Sequence, residues 1–161
     1  MSIAPLLWVG GEAHPPAECP PRTVVAVIVK WRGRIALFKR SHSVGHDRGL
    51  WHCITGYLEP GTSPEGQAFT ELREETGLTE NDLIDFRQGT PLLLPDKEGN
   101  PWLVHTFTAV TRRRRLTVND EHDTFRWTAP SRIRRFSNRV TWLDQVLEAA
   151  PAPPNQHGTG S

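Results

Sequence analysis

Three glutamates, Glu71, Glu74 and Glu75, stand in the run Thr70-Glu71-Leu72-Arg73-Glu74-Glu75-Thr76 and are the residues of this chain best spaced for chemistry. On a helix, separations of three and four residues bring side chains together on one face. With Ala68 at zero and about 100° per residue, Leu72, Thr76 and Phe69 fall at roughly 40°, 80° and 100°, a stripe suited to burial. Glu71, Glu74 and Glu75 fall at roughly 300°, 240° and 340°, an acidic patch bordering that stripe. Arg73, at roughly 140°, lies away from Glu71 and Glu75 and does not neutralise it. Like charges so spaced cost roughly 0.2–0.5 kcal/mol per pair on an exposed helix, and more where partly buried. A hard divalent cation, Mg²⁺ or Mn²⁺, would relieve the repulsion, because it takes carboxylate oxygens and keeps positions open for water and phosphate. Taken alone, the helix favours a solvated acidic face, or arginines arriving from elsewhere in the fold, over a metal site.

The elements that must position these acids can be read locally. Ser63 suits an N-cap, Pro64 the first helical position and Glu65 the positive end of the helix dipole. Gly77 is a natural C′ stop with apolar Leu78 after it, so the spacing predicts a helix over Pro64–Thr76. Upstream, the β-branched run Thr23–Trp31 (TVVAVIVKW) predicts a buried strand, and Ile35–Lys39 (IALFK) its hairpin partner across Arg32-Gly33. A short strand is expected at Leu50–Thr55, before a turn through Pro60-Gly61. Leu83–Phe86, Leu92–Leu94, Trp102–Val110 and Phe125–Trp127 read as further strands. Asn138–Ala149 reads as a second helix with Val140, Leu143, Val146 and Leu147 on one face. Strands and two helices in this order imply an α+β fold.

The bulk composition narrows the setting. The 161 residues carry a net charge of +1, with 37% hydrophobic and 23% charged residues, ordinary for one globular domain. That domain is expected at residues 22–149, with flexible Pro/Gly-rich segments at 1–21 and 150–161. No apolar stretch approaches the ~18 residues that span a bilayer, and residues 1–20 do not resemble a signal peptide. Cys19 and Cys53 form neither a CxxC motif nor a disulfide framework. A cytoplasmic, reducing setting without a membrane partner is therefore expected. His42, His46, His52 and Cys53 lack zinc-ligand spacing, and Cys53, among apolar neighbours, reads as a small buried side chain. The run Arg112–Arg115 reads as a solvated strand-end loop because no aromatic residue interleaves with it, so nucleic acid is not favoured as a partner.

Residues 56–78, GYLEPGTSPEGQAFTELREETGL, resemble the Nudix box, G-x5-E-x7-R-E-U-x-E-E-x-G-U with U apolar. Gly56, Glu71, Leu72, Glu74, Glu75, Gly77 and Leu78 match in register, and Glu59, Pro60 and Gly61 resemble the usual approach to the helix. Thr62 stands where the family has Glu, and Thr70 where it has the Arg that braces the carboxylates. Thr55 replaces a common glycine just before the box. The resemblance extends over roughly residues 22–148. Trp51-His52-Cys53-Ile54-Thr55-Gly56, Glu121-His122 before Phe125-Arg126-Trp127, and Ser137-Asn138-Arg139 are similar to motifs of the dihydroneopterin triphosphate pyrophosphatase branch.

The resemblance implies an α/β/α sandwich around a mixed sheet. It also implies metal-dependent hydrolysis of a diphosphate linkage in a nucleotide-like substrate, such as a nucleoside triphosphate, a nucleotide sugar or a pterin triphosphate. Glu71, Glu74 and Glu75 would bind Mg²⁺ or Mn²⁺, helped by a backbone carbonyl near Thr55 or Gly56. Glu121 would be a further ligand or the general base, and Arg40, at a strand end, would hold a phosphate. Trp51 is a candidate platform for a flat ring, against the alternative of core packing, and Glu59 and Gly56 complete the expected substrate-binding set. Nudix proteins often form homodimers, and the sequence leaves the oligomeric state open. Three other readings compete: a non-catalytic Nudix-like nucleotide-binding or regulatory domain, favoured by Thr62 and Thr70; a prenyl diphosphate isomerase, for which no Cys/Glu protonation pair is evident; and an RNA-binding or decapping role resting on the arginine run.

Overall fold

The computed structural model describes residues 21–96 and 98–150. The flexible segments expected at the two ends lie, apart from Pro21 and Ala150, outside the described residues.

The β-branched run forms β1 (Arg22–Trp31), whose residues from Val24 to Val29 are all buried. A strand covered on both faces needs no polar alternation, which is why this segment reads as a continuous apolar run. Its side chains still alternate in direction. Val25, Val27 and Val29 join one core cluster, while Val24, Ala26 and Ile28 join a second. Helix α1 (Pro64–Thr76) closes the first cluster with Ala68 and Leu72. Helix α2 (Leu143–Ala149) closes the second with Leu143 and Val146. The architecture is therefore an α/β/α sandwich around a mixed sheet.

Strand β1 lies at the centre of that sheet. It pairs in parallel with β7 (Pro101–Thr111) along nearly its whole length, from Arg22↔Trp102 to Lys30↔Val110. On its other edge it meets β2 (Arg34–Arg40) only at the hairpin, through Lys30↔Ile35 and Trp31↔Arg34. The two strands then diverge, and β4 (Ile54–Tyr57) takes up the free edge of β1, with Val25 opposite Gly56. Strand β2 instead pairs with β3 (Trp51–His52) on one side and β8 (His122–Thr128) on the other, both antiparallel. Strands β5 (Leu83–Gln88) and β6 (Leu92–Pro95) both pair with β7. The expected single strand Leu50–Thr55 is thus two strands meeting at Cys53, because the chain exchanges β2 for β1 as its partner there.

The second helix is shorter than its periodicity predicts. Residues 138–140 do not enter it, because their backbone docks on β3 instead. Trp51 N–H donates to the Asn138 carbonyl at 2.8 Å, and Val140 N–H donates to the Trp51 carbonyl at 2.9 Å. Val140 is buried as expected, but from this bridge rather than from a helical face.

Candidate active site

Helix α1 begins and ends where its caps require. The Ser63 hydroxyl accepts from Gly66 N–H at 3.0 Å, and Gly77 closes the helix at φ 77°, its N–H donating to the Arg73 carbonyl. These caps fix the rotational phase of the helix against the sheet, and the phase separates the three acids. Glu75 points inward and is 1% exposed, Glu71 is half-buried at the edge, and Glu74 faces solvent.

Glu71 lies against β4. A Cβ added at Gly56 would collide with the Glu71 carboxyl, so only glycine lets the helix carboxylate come this close to the strand. The Glu71 and Glu75 carboxyls lie close enough to act on each other, and both have raised pKa values. For Glu71 the main cause is burial, reinforced by the charges of Glu74 and Glu121. For Glu75, burial, then the adjoining Glu71 carboxyl and the charges of Glu121 and Glu71, push the value up to about 11. The pair therefore holds a proton at neutral pH. Glu75 Oε2 is buried with no hydrogen-bond partner among the described residues.

Strand β8 brings the next layer. Arg40 at the end of β2 stands opposite His122 in register. His122 Nε2 is 3.6 Å from Glu75 Oε1, but burial, with the Arg40 charge, lowers the imidazole to about 4. Both partners favour their neutral forms, so this is a contact of uncharged groups rather than an ion pair. Arg40 is itself buried and donates from Nε to the His46 carbonyl at 3.2 Å. Its charge reaches Glu75, His52 and His122 without ion-pairing any of them. Among the described residues, no arginine forms an ion pair with Glu71, Glu74 or Glu75. Glu121 is exposed, held by Asn119 through its backbone N–H at 3.0 Å and its carboxylate at 3.4 Å.

The sequence reading missed Gln67. This residue is buried, one turn before Glu71, and bridges two parts of the Nudix box. Its Nε2 donates to Glu71 Oε2 at 2.8 Å, and its Oε1 accepts from Glu59 N–H at 3.0 Å. It thus braces Glu71 where the family arginine is absent. Thr70, at the arginine position, turns its hydroxyl to the Gly66 carbonyl instead, at 3.1 Å. The available signal was a glutamine at i−4 to a carboxylate on a predicted helix. The structure does not bring Trp51 beside the acids. Its ring meets Phe136 edge-on, centroids 5.0 Å apart, in the cluster closed by α2. Glu59 is exposed, and its part in the site is the backbone bond to Gln67.

The donors gathered here are hard oxygens, a set suited to Mg²⁺ or Mn²⁺. Among the described residues, no group of three or more His, Cys, Asp and Glu side chains is placed to hold a metal. Two touching carboxylates with an unpartnered buried oxygen nevertheless fit Mg²⁺, which uses one or two carboxylates and keeps the rest of its sphere for water and phosphate.

The NUDIX domain model matches residues 20–149, and the chain belongs to the Nudix family of hydrolases, which act on diphosphate-containing substrates. The chain is 37% identical over 129 residues to an octanoyltransferase of Myxococcus xanthus, covering 74% of this chain but only 34% of that protein. It is 27% identical over 130 residues to the nucleoside triphosphatase NudI of Escherichia fergusonii, covering 74% of this chain and 89% of that protein. Among solved structures, the MutT protein of Methanosarcina mazei Go1 superposes with a TM-score of 0.70 at 18% identity, covering 83% of this chain and 94% of that one, a likeness of fold. No helix among the described residues is long and apolar enough to cross a membrane.

Proposed function

We propose that this chain hydrolyses a diphosphate linkage in a nucleotide-like substrate, with Glu71, Glu75 and the Gly56 carbonyl holding Mg²⁺ or Mn²⁺. The observation that carries the reading is the close approach of Glu71 and Glu75 beside Gly56, with a buried carboxylate oxygen that has no partner, and no ion-paired arginine, among the described residues. When bound, the cation supplies charge neutralisation for the phosphate oxygens. Gln67 fixes the Glu71 carboxylate. Glu74, exposed one residue before Glu75, lends negative charge from outside the pair. Arg40 offers its guanidinium to a phosphate of the substrate. Glu121, on the exposed loop beside the pair, accepts a proton from the attacking water as its oxygen bonds to phosphorus. The phosphorus–oxygen bond to the leaving phosphate then breaks.

A triphosphate is the favoured substrate class. The likeness to a nucleoside triphosphatase supports a nucleoside triphosphate. The W-x-x-x-T-G approach, Glu121-His122 and Ser137-Asn138-Arg139 support a pterin triphosphate, a second flat ring on the same triphosphate chain. The octanoyltransferase likeness covers about a third of that protein and lends no transferase chemistry to this reading.

The test is a panel of nucleoside triphosphates, nucleotide sugars, dinucleotides and dihydroneopterin triphosphate, with Mg²⁺ and with Mn²⁺. Phosphate and pyrophosphate are measured separately. Hydrolysis that requires the cation and is lost in Glu71→Gln and Glu75→Gln is expected. Wild-type rates in both variants on every active substrate would overturn the assignment.

A further inference from the structure

The arginine run left without a role by the sequence acquires aromatic neighbours in the fold. The β1–β2 hairpin turns through Arg32 and Gly33, at φ 47° and 78°, placing Trp31 opposite Arg34. Strand β8 runs antiparallel to β2 and delivers Trp127 opposite Ala36, near the same hairpin. The segment after β7 returns beneath them, where Trp127 Nε1 donates to the Arg114 carbonyl at 3.0 Å. Trp31, Trp127, Arg32, Arg34, Arg114 and Arg115 thereby line one open cavity of about 1020 Å³.

The surface has two properties that belong together in one kind of ligand. The indole rings of Trp31 and Trp127 lie 5.7 Å apart, with the Arg32 and Arg114 guanidinium groups 5.3 and 5.7 Å from the Trp31 ring centre. The four arginines are exposed, and none forms an ion pair among the described residues. Arg113, in the same run, is bound to Asp82 at 3.2 Å, so freedom is not a property of the run as a whole. The patch sits at the hairpin end of β2, six residues from Arg40, or roughly 20 Å at strand rise. It is therefore separate from the carboxylate site.

We infer that this surface binds single-stranded nucleic acid, with phosphates on the arginines and unpaired bases on the indoles. Stacking platforms interleaved with cations are what a flexible, sequence-tolerant strand uses. A duplex keeps its base faces covered and gains only the charge. An acidic peptide gains the charge but has no row of flat rings for the indoles.

The test uses the full chain with fluorescein-labelled 12-nucleotide single strands of dT and of U, read by anisotropy and by quenching of intrinsic tryptophan emission. Four phosphate contacts imply a loss of affinity of about 50-fold between 50 and 200 mM salt. Arg32→Glu/Arg34→Glu, both at exposed positions, is expected to weaken binding at least 10-fold while leaving metal-dependent hydrolysis of a small substrate unchanged. Tryptophan quenching by the single strand, absent with a duplex of equal length, supports base stacking. No binding at 50 mM salt, equal binding by the charge-reversed variant, or equal or tighter binding of duplex, poly-glutamate or phosphatidylserine vesicles would overturn the proposal.

Discussion

Replacing Gln67 with leucine removes the bridge between the Glu59 loop and helix α1 while keeping most of the side-chain volume. Two bonds are lost. The one to Glu71 Oε2, at 2.8 Å, is charge-assisted whenever Glu71 is ionised, and the one from Glu59 N–H, at 3.0 Å, is neutral. A hydrogen bond to a charged group contributes about 1.5–3 kcal/mol. At 1.36 kcal/mol per decade, full dependence of the transition state on that bond lowers kcat/KM by about ten- to a hundred-fold. Because Gln67 acts through the Glu71 carboxylate, the Mg²⁺ concentration for half-maximal rate is expected to rise while KM for substrate stays nearly constant. The assay is a steady-state rate series across Mg²⁺ concentrations, beside a thermal melt confirming that the variant is folded. Adding Thr70→Arg to Gln67→Leu restores the arginine of the family box and is expected to recover most of the rate. Thr70→Arg alone is expected to leave activity unchanged or raise it. A folded Gln67→Leu enzyme with wild-type rates at both limiting and saturating Mg²⁺ would refute the bracing role.

Glu75→Gln is expected to leave the metal-free melting temperature unchanged or higher, since the buried carboxyl it replaces is already uncharged, while abolishing stabilisation by Mg²⁺ and cutting the rate on the order of 100-fold or more. Differential scanning fluorimetry with and without the ion reads the first two outcomes. Gly56→Ala places a methyl group against the Glu71 carboxyl, so Mg²⁺-dependent activity is expected to fall at least as far as in Gln67→Leu, by the same rate assay. His52 is buried, has no hydrogen-bond partner among the described residues, and is lowered to about 3, chiefly by desolvation. Its depressed value means that stability is complete above pH 6.5 and is lost as pH falls toward 3. At pH 5 the loss reaches about 2 kcal/mol, and His52→Phe is expected to flatten that part of the denaturation profile.

The sequence shows which elements exist more readily than where their partners change. The continuous β-branched run of β1 announces burial on both faces, and the caps of α1 announce both of its ends, because each signal is local. Two features are not local. The split between β3 and β4 depends on the divergence of β1 from β2, and the late start of α2 depends on backbone bonds from residues 138–140 to Trp51. The same distinction governs the site. Helical arithmetic puts Glu71 and Glu75 beside the buried stripe and Glu74 farther out, as the structure has them. It cannot show that Gly56 receives Glu71, that His122 lies against Glu75, or that Trp51 meets Phe136 edge-on, since each joins residues of separate elements. The indoles beside Arg114 and Arg115 come from positions 31 and 127, so no window along the chain contains the patch.

The three acids impose one further consequence. Like charges so close cannot all ionise inside a fold, and here a proton on the Glu71–Glu75 pair removes the conflict without any ion. A neutral pair spares helix α1 the repulsion that an ionised cluster would impose on the free protein. A divalent cation must instead displace the proton, so proton and ion compete for the same oxygens. The sign follows from the direction of the shift. Glu75 is raised to about 11, so across neutral pH the proton is held, and each unit of rising pH lowers its competition about tenfold. Stabilisation by a fixed subsaturating Mg²⁺ concentration is accordingly expected to grow from pH 6.5 to 8.5. The rise should vanish in Glu75→Gln, where no carboxyl proton remains on that side chain to displace. A Mg²⁺-dependent melting shift of equal size at both pH values in the wild type would mean that the ion binds oxygens other than those of the buried pair.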